Sequence, residues 1–307
     1  MNMADTPSFD GLRGELRFDE PMARHSSWRA GGRAARLYAP ADLEDLALFL
    51  RQLPAGEPLL FVGLGSNLLV REGGLRGTVV LMHAAGRRPE MLLGRVYAEA
   101  GVASPKVARF AALQGLAGAE FLAGVPGSVG GALAMNAGCY GGETWDIVAR
   151  AITIDRRGEL HSREKSEFEI SYRHCALREG GTLGQDEWFV AAYFDLAEGD
   201  GEASRAKIKE FLSRRVASQP LQLPNAGSVF RNPIAEHAAR LIEACGLKGL
   251  ERGGARVSEK HANFIVNPKG AATATDIEWL ITTVRARVLE KTGVDLQPEV
   301  RIVGDAA

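Results

Sequence analysis

The stretch from Gly124 to Gly142, GVPGSVGGALAMNAGCYGG, constrains the fold of this chain more than any other part of it. Seven of its nineteen residues are glycine and few of the others are bulky, so it cannot form a core of its own. Glycine permits positive φ and has no Cβ, so such a loop lets its backbone approach another group closely, and its N–H groups can bind an anion. ALAM, after Gly130 and Gly131, is a short candidate helix. The stretch is either a cradle for the diphosphate of a large cofactor or a tight turn packed by small residues.

Length and charge limit the classes of protein to which the chain can belong. With 307 residues it can bury a sizeable core, and we expect two domains. Hydrophobic residues make up 46% and charged residues 24%, as in soluble globular proteins. Because the formal net charge is only −1, no overall field favours nucleic acid or a membrane surface, and neither is expected as a partner.

Cysteine usage and the N-terminus argue against secretion and against a metal site. Cys139, Cys175 and Cys245 are far apart and form no CxxC pair, so neither a disulfide framework nor a zinc site is predicted. The opening residues, MNMADTPSFD, lack the basic and apolar parts of a signal peptide, and no apolar run approaches the length of a membrane span. A cytoplasmic location is therefore expected.

A second glycine turn lies in LLFVGLGSNLLV, residues 59–70, directly after a run that predicts a buried strand. Gly63 and Gly65 resemble the opening of a dinucleotide fingerprint. Leu68, however, stands where GxGxxG needs its third glycine, so the Rossmann interpretation fails. Ser66 and Asn67 still place polar donors at the tip of the turn. The turn is thus either a second anion cradle or a simple hairpin turn.

Hydrophobic periodicity predicts helices and strands in irregular order, without βαβ repetition. Ser104 is predicted to cap a helix that stops at Gly115, and Thr275 to cap a helix that ends near Gly293. The polar stretch GDGEAS, residues 199–204, is the predicted linker, and a basic amphipathic helix follows it. The other predicted elements are strands at 35–38, 78–84, 95–101, 188–196 and 298–304, a hairpin over 149–160, and helices over 42–53 and 238–245.

Three polar residues could carry chemistry, although each also has an ordinary structural interpretation. Arg173, beside Tyr172 at the end of the strand-like run FEISYRHC, could present its fork to a carboxylate or phosphate, or form a plain surface pair. Ser228 lies in a Gly-Ser turn without a GxSxG elbow or a His/Asp arrangement, which argues against acyl transfer. Glu299 lies on the last predicted strand, where a glutamate is usually a solvated edge charge.

Together and in this order, the motifs resemble the UDP-N-acetylenolpyruvoylglucosamine reductase family, FAD enzymes of bacterial peptidoglycan precursor synthesis. The matching pieces, spread over nearly the whole chain, are WRAGG (28–32), GLGSNLLV (63–70), GVPGSVGGALAMNAGCYG (124–141), SYR (171–173), QPLQLPNAGSVFRNP (219–233), GLKG (246–249), GGARVSEKHANFIVN (253–267) and EVRIVG (299–304). The short spacing between SYR and the linker is similar to the shorter subtype, which lacks an extra tyrosine loop.

The resemblance implies an α+β fold with two domains. An FAD-binding domain of the vanillyl-alcohol-oxidase type would occupy residues 1–200, split near residue 90 into two subdomains. A smaller α/β substrate-binding domain would occupy 201–307, with its last strand returning to the FAD domain.

The resemblance also implies a reaction, the reduction of UDP-N-acetylglucosamine enolpyruvate to UDP-N-acetylmuramate by a cytoplasmic monomer. The UDP-sugar is the expected partner, NADPH is the expected reductant and shares the substrate cleft, and FAD is expected to be non-covalent. Arg173 corresponds to the catalytic arginine, Ser228 to the serine that delivers the proton, and Glu299 to the catalytic glutamate. Tyr172, Arg215 and Asn232 are candidates for binding the carboxylate and diphosphate of the substrate.

The resemblance places the FAD diphosphate on the two glycine loops. The residues expected to bind it are Gly63, Leu64, Gly65, Ser66, Asn67, Leu68, Val125, Pro126, Gly127, Ser128, Gly130, Gly131, Asn136, Ala137 and Gly138.

The chain departs from the family pattern at two places. Ser218 stands where many relatives carry a lysine, for which Arg215 could substitute, and Ser26-Ser27 replace an asparagine–threonine pair. Two other classes stay open. One is another flavin oxidase or dehydrogenase of the same cofactor fold, with Cys139 as the candidate covalent site, and the other is a non-enzymatic module that kept the fold.

Overall fold

A computed structural model describes residues 9–83 and 87–307, and the chain divides into two compact units. Unit 1 comprises the chain up to Phe18, Arg36–Gly63 and Gly77–Lys209. Unit 2 comprises Asp19–Ala35, Leu64–Arg76 and Glu210–Ala307. The predicted domain boundary at 200/201 lies close to the change of unit at 209/210, whereas the early segments 19–35 and 64–76 belong to unit 2.

The described residues form short strands and a smaller set of helices. The helices are α1 (Leu43–Gln52), α2 (Ser104–Leu113), α3 (Val129–Ala134), α4 (Gly201–Ser218), α5 (Ala238–Ala244) and α6 (Ala274–Thr292). Short 3-10 turns lie at Met22–His25, Glu120–Gly124, Thr144–Asp146 and Lys165–Glu167.

The strands, in chain order, are β1 (Glu15–Pro21), β2 (Arg33–Ala39), β3 (Leu59–Val62), β4 (Leu68–Val70), β5 (Leu75–Leu81), β6 (Glu90–Leu92), β7 (Arg95–Glu99), β8 (Leu116–Ala117), β9 (Gly138–Cys139), β10 (Gly142–Glu143), β11 (Val148–Asp155), β12 (Leu160–Glu164), β13 (Phe168–Ser171), β14 (His174–Leu177), β15 (Glu187–Phe194), β16 (Ala197–Glu198), β17 (Glu251–Arg252), β18 (Ala255–Val257), β19 (Ile265–Val266) and β20 (Arg301–Val303). This mixture confirms the predicted α+β class.

Unit 1 is built on two sheets. One has the order β1-β2-β5-β3, with β3 and β5 parallel, and the other is the antiparallel sheet β12-β11-β15-β7-β6. Their core includes Tyr38 stacked on Phe49 with 4.0 Å between ring centroids, and Phe61 stacked on Trp188 at 4.7 Å. Burying each such aromatic side chain stabilises the fold by about 1.5–3 kcal/mol.

Unit 2 packs α5 and α6 with the three-stranded sheet β17-β18-β19 and the parallel pair β20-β4. Trp28 is fully buried in this core, where its indole N–H donates to the carbonyl of Ile265 at 2.7 Å. α6 begins with a capping box between Thr273 and Asp276 and ends at Gly293, whose φ of +74° is left-handed. No helix within residues 9–83 and 87–307 combines the length and apolar character that a membrane span requires.

Three local predictions were wrong. The N-cap of α2 is Ala103, whose side chain makes no capping hydrogen bond, and not Ser104 as predicted. Ser104 already lies inside the helix, and Pro105 lies in the first turn, where proline is favourable. Thr273 rather than Thr275 caps α6, since only Thr273 accepts the N–H of Asp276. The predicted linker 199–204 is largely helical, because α4 begins at Gly201.

The strand predicted over 78–84 corresponds to β5, and the last residue of that prediction, Ala84, lies outside the described residues.

Candidate functional site

The glycine-rich segment, residues 124–142, lies in unit 1 and contains the turn before α3. Gly127 adopts φ +108°, a conformation that side chains rarely allow. A Cβ at Gly63 would overlap the hydroxyl of Ser128, and a Cβ at Gly130 would lie 2.8 Å from that of Ala100. Glycine is therefore required at these positions because the backbone is packed against neighbouring groups.

The start of α3 combines a fixed backbone with an open face. The N–H groups of Val129 and Gly130 donate to the carbonyls of Val102 and Ala100, at 2.8 and 2.9 Å. Gly131 is exposed, and a Cβ added there would meet a single hydroxyl oxygen at 3.9 Å. A bulky group can therefore approach the backbone here without meeting a side chain.

The second predicted cradle turns at Gly65, in unit 2. Gly65 has φ +62°, and a Cβ there would overlap the carbonyl oxygen of His25. Its own carbonyl accepts the N–H of Ser27 at 3.1 Å, and Ser26 Oγ donates to the carbonyl of Leu68 at 3.0 Å. The Ser26-Ser27 pair therefore supports this turn, whereas the sequence indicated only that it departs from a family pattern.

Arg173 occupies the tip of a β-hairpin in unit 1. Because Ser171 pairs with His174, Tyr172 and Arg173 form the two-residue turn between β13 and β14 rather than the end of a strand, as the sequence suggested. Arg173 has φ +56°, which costs a residue with a side chain roughly 1–2 kcal/mol. Its guanidinium donates to the carbonyl of Gly138 at 2.9 Å and lies 4.9 Å from the ring centroid of Tyr172.

The segment that ends at Gly138 also contains Asn136 and Ala137, both expected to bind cofactor. The carbonyl of Ala137 accepts the hydroxyl of Thr144 at 2.6 Å and its N–H at 3.0 Å. Asn136 is buried, and its side chain bonds to groups of unit 1.

Ser228 and Glu299 lie on neighbouring backbone segments of unit 2. Glu299 N donates to the carbonyl of Val229 at 2.7 Å, one residue after Ser228. Glu299 lies two residues before β20 rather than on a strand as predicted, and its carbonyl accepts Asn67 Nδ2 at 3.1 Å, so this asparagine joins the segment before β20 to the Gly65 turn. The structure thus links Glu299 to Val229, the neighbour of Ser228, through its backbone N–H, and to the side chain of Asn67 through its carbonyl.

A buried asparagine that sequence reasoning missed fixes the segment after Ser228. Asn263, 2% exposed, accepts the N–H of Phe230 at 3.0 Å and donates to the carbonyl of Phe230 at 2.8 Å. Its own carbonyl accepts the N–H of Val229 at 2.9 Å. An amide inside the apolar run ANFIV was the only sequence signal for this clamp.

The predicted substrate residues Arg215 and Asn232 have local partners in unit 2. Arg215 Nε donates to Gln219 at 2.9 Å along α4, and Asn232 Oδ1 accepts the N–H of Ala238 at the start of α5, at 3.1 Å. Ser218, which replaces the family lysine, donates to the carbonyl of Arg214 at 2.9 Å.

The described part of the chain holds no cluster of three or more His, Cys, Asp or Glu side chains arranged to bind a metal ion. His261, in the run KHANF, accepts the N–H of Asn263 at 3.3 Å through Nδ1. Burial, with a smaller effect of Lys248, lowers the pKa of His261 below its ordinary value. The imidazole is therefore held neutral as an acceptor within the fold.

The geometry fits a dinucleotide cofactor. The missing Cβ of Gly63 makes room for the Ser128 hydroxyl, a Cβ at Gly131 would meet that hydroxyl alone within 4 Å, and the fixed backbone at α3 limits the reorganisation needed on binding.

Comparison with known proteins agrees with this arrangement. A family model described as "FAD binding domain" matches residues 34–163, and one described as "UDP-N-acetylenolpyruvoylglucosamine reductase, C-terminal domain" matches residues 219–303. The UDP-N-acetylenolpyruvoylglucosamine reductases of Nitrosospira multiformis and Thiobacillus denitrificans are 58% and 56% identical to the chain, over 97% and 96% of its length and 91% and 94% of theirs.

A solved structure gives the same result. The crystal structure of UDP-N-acetylenolpyruvylglucosamine reductase from Thermus caldophilus is 32% identical, with a TM-score of 0.78 over 95% of this chain and 99% of that one. The predicted FAD-binding domain and the predicted family are confirmed. The chain belongs to the UDP-N-acetylenolpyruvoylglucosamine reductase family of FAD-dependent oxidoreductases.

Proposed function

We propose that this chain reduces UDP-N-acetylglucosamine enolpyruvate to UDP-N-acetylmuramate, with NADPH as the reductant and non-covalent FAD as the cofactor. It does so as a cytoplasmic monomer whose partner is the UDP-sugar, without nucleic acid or membrane. The names of its relatives support the substrate, and the FAD-binding domain supports the cofactor.

One observation carries the proposal beyond family membership. The guanidinium of Arg173 rests on the carbonyl of Gly138, inside the glycine-rich segment to which we assign FAD. A cation with a planar fork of donors is suited to a carboxylate, and the enolpyruvyl group carries one. Arg173 would thus bind the reacting end of the substrate next to the cofactor segment.

Two backbone regions are the candidates for binding FAD, and each is assigned within its own unit. The region in unit 1 comprises Gly63 and Val125–Gly131, and the hydroxyl of Ser128 is its side-chain donor. Residues Asn136–Gly138 lie further along the same glycine-rich segment and belong to this region. In unit 2 it is the turn Leu64–Leu68, with Ser66 and Asn67 at its tip. FAD, once reduced, supplies the hydride that the substrate alkene receives.

The residues of the chain then divide the rest of the reaction among them. As the terminal alkene carbon gains the hydride, negative charge develops on the carbon that bears the ether and spreads onto its carboxylate. Arg173 stabilises this charge through its donors, and Ser228 gives its hydroxyl proton to the charged carbon. Glu299, held beside the Ser228 segment by its N–H bond to Val229, helps polarise the substrate.

Three further residues are assigned to the substrate by their chemistry. Tyr172 is exposed at the hairpin tip beside Arg173 and is assigned to the carboxylate end. Arg215 and Asn232 are assigned to the diphosphate end, and Arg215 would take over part of the role of the missing lysine at Ser218. An Arg215→Ala variant with unchanged KM for substrate and NADPH would remove that assignment.

An anaerobic absorbance titration of the purified protein tests the proposal. We expect a flavin spectrum that bleaches on addition of NADPH and returns on addition of UDP-N-acetylglucosamine enolpyruvate. Flavin that bleaches but is re-oxidised only by oxygen would instead indicate an oxidase, and a protein without flavin would indicate a non-enzymatic module.

Acid precipitation of the same preparation tests how the flavin is held. Yellow colour in the supernatant is expected, because the proposal has FAD bound without a covalent link to Cys139 or any other residue. Colour that stays in the pellet would mean covalent attachment.

A further inference from the structure

Asn136 has a buried side chain whose polar atoms bond to protein groups. It is 2% exposed and adopts φ +41°, which asparagine tolerates better than most residues. Its Nδ2 donates to Glu143 Oε2 at 2.8 Å and to the carbonyl of Ser171 at 3.3 Å, while its Oδ1 accepts the N–H of Trp145 at 3.1 Å. Both amide N–H groups and the amide oxygen are therefore used inside unit 1.

Two of the contacts of Asn136 reach the hairpin that carries Arg173. Ser171, whose carbonyl it binds, is the last residue of β13 and directly precedes the turn. The main-chain carbonyl of Asn136 also accepts Arg173 Nη1 at 3.5 Å, next to the shorter bond from Arg173 to Gly138. Asn136 thus contacts both the backbone of Ser171, directly before the turn, and the side chain of Arg173 within it.

The hairpin needs such support because it is short and strained. β13 and β14 pair over only four residues each, and Arg173 holds a left-handed φ at the tip. A two-stranded hairpin is marginal by itself in water. An arginine side chain also has many rotamers, so a fixed guanidinium requires contacts that outweigh the entropy lost.

We propose that Asn136 is a positioning residue for Arg173, fixing the hairpin through the Ser171 carbonyl so that the guanidinium is presented to the substrate carboxylate. The inference rests on the proposed function, since it assigns the carboxylate to Arg173. It gives the side chain of Asn136 a role that acts through the arginine, separate from the assignment of its backbone to FAD.

Glu143 allows the two links of Asn136 to be separated. In Asn136→Asp, an oxygen replaces Nδ2 and faces both the Glu143 carboxylate and the Ser171 carbonyl, so both links are lost. In the double variant Asn136→Asp/Glu143→Gln, the glutamine amide can donate to the new carboxylate, which restores the 136–143 link with donor and acceptor exchanged. The Ser171 carbonyl still lacks its donor. Glu143→Gln alone keeps one acceptor oxygen, which Asn136 Nδ2 and the N–H of Asp146 must then share, and it leaves the bond from Asn136 to Ser171 in place, so it is the control for that bond.

We expect the double variant to regain the flavin content and melting temperature of the parent but not its rate. Re-oxidation of reduced flavin by UDP-N-acetylglucosamine enolpyruvate should stay about 10- to 100-fold slow, since small misplacements of a catalytic group cost that much. Bleaching by NADPH should change by less than about twofold, because the carboxylate assigned to Arg173 belongs to the enolpyruvyl substrate and not to the reductant. Glu143→Gln should keep the parental re-oxidation rate, because the bond from Asn136 to the Ser171 carbonyl is retained.

Hydrogen–deuterium exchange of the peptide covering residues 168–177 gives a second readout that needs neither substrate nor turnover. Exchange should accelerate in the double variant and not in Glu143→Gln. Asn136→Gly, which suits the positive φ, offers the same test if the aspartate disturbs folding.

The outcomes separate the two claims. A double variant with parental re-oxidation rate and parental exchange would overturn the positioning role of Asn136. A parent protein that is not re-oxidised by the enolpyruvyl substrate would overturn the proposed function, while the exchange experiment would still decide whether Asn136 fixes the hairpin.

Discussion

The hairpin of Arg173 and the segment of Ser228 hold their catalytic candidates in opposite ways. Arg173 lies at an exposed two-residue turn, with positive φ and side-chain bonds to loop carbonyls. Ser228 precedes Val229 and Phe230, each 1% exposed, whose backbone groups are bound by Asn263 and by Glu299. Arg173 is therefore held in a strained backbone conformation by contacts near the surface, whereas Ser228 is held by neighbouring residues that are buried in the core.

This difference separates activity from stability. A residue at a strained tip adds little to the core, so replacing it should affect chemistry more than folding. Around Ser228 the neighbouring residues carry the packing, so a change one or two residues away should affect folding. The four predictions that follow test this separation, from the largest expected effect to the smallest.

Ser228→Ala should give the largest effect. Re-oxidation of reduced flavin by the enolpyruvyl substrate should slow by about 10²- to 10⁴-fold, because a positioned proton donor contributes roughly that much. Bleaching by NADPH should stay near the parental rate in stopped-flow measurements. Ser213→Ala, on an exposed part of α4, is the control and should leave both half-reactions unchanged. Equal loss in both half-reactions would contradict the assigned role of Ser228.

Arg173→Gly should lose about 10²-fold or more in re-oxidation rate, since donors aimed at developing charge typically contribute that much. Its free energy of unfolding should change by less than about 1 kcal/mol. Relief of the left-handed strain, about 1–2 kcal/mol, offsets loss of the charged hydrogen bond to Gly138. Urea unfolding and stopped-flow rates measure the two effects. A strongly destabilised variant would show that the hairpin tip is structural, and Arg240→Lys, in an exposed ion pair, is the control.

Asn263→Ala should lower the free energy of unfolding by about 2–3 kcal/mol, because it removes two hydrogen bonds and leaves backbone groups of Phe230 buried without partners. Urea unfolding followed by tryptophan fluorescence gives the value. The exposed Gln222, changed to alanine, should shift stability by less than about 0.5 kcal/mol. An equally small change in the free energy of unfolding for Asn263→Ala would show that Asn263 does not hold the segment after Ser228 in place.

His261 should make unit 2 sensitive to acid. Its folded pKa is lowered, chiefly by burial, so the neutral form is favoured in the fold. The resulting stability is fully present above the unfolded histidine pKa, about 6.5, and declines only below it as the unfolded state binds a proton more readily. Unfolding midpoints between pH 7.5 and pH 5 should therefore fall more steeply in the parent than in His261→Gln. Parallel curves would refute this, and the exposed His237→Gln should match the parent.

The sequence predicted the elements whose signals are local. The helix over 42–53, the hairpin over 149–160 and the glycine stop of α6 at Gly293 follow from periodicity and from capping or turn residues. The two glycine loops were found because glycine is required where backbone meets backbone or a hydroxyl, and this leaves a mark in composition.

The amides that hold the candidate site could not be predicted in the same way. Asn67 binds the carbonyl of Glu299, 232 residues away, and Asn263 clamps Phe230 across 33 residues. A single asparagine that bonds to a distant backbone group produces no periodic pattern. The turn conformation of Arg173 was also missed. A glycine in a sequence indicates that a positive φ is possible there, whereas an arginine gives no such indication.

The bond from the Trp28 indole to the carbonyl of Ile265 has a consequence for biosynthesis. The two residues are 237 positions apart, so the ribosome must add most of the chain before the buried tryptophan can reach its partner. At about 5–20 residues per second, the tryptophan waits roughly 10 to 50 s after it is made. During that time the early strands of unit 2 have none of their C-terminal core to cover them. A chain that stops before Ile265 is therefore expected to leave Trp28 without the C-terminal residues that share its core.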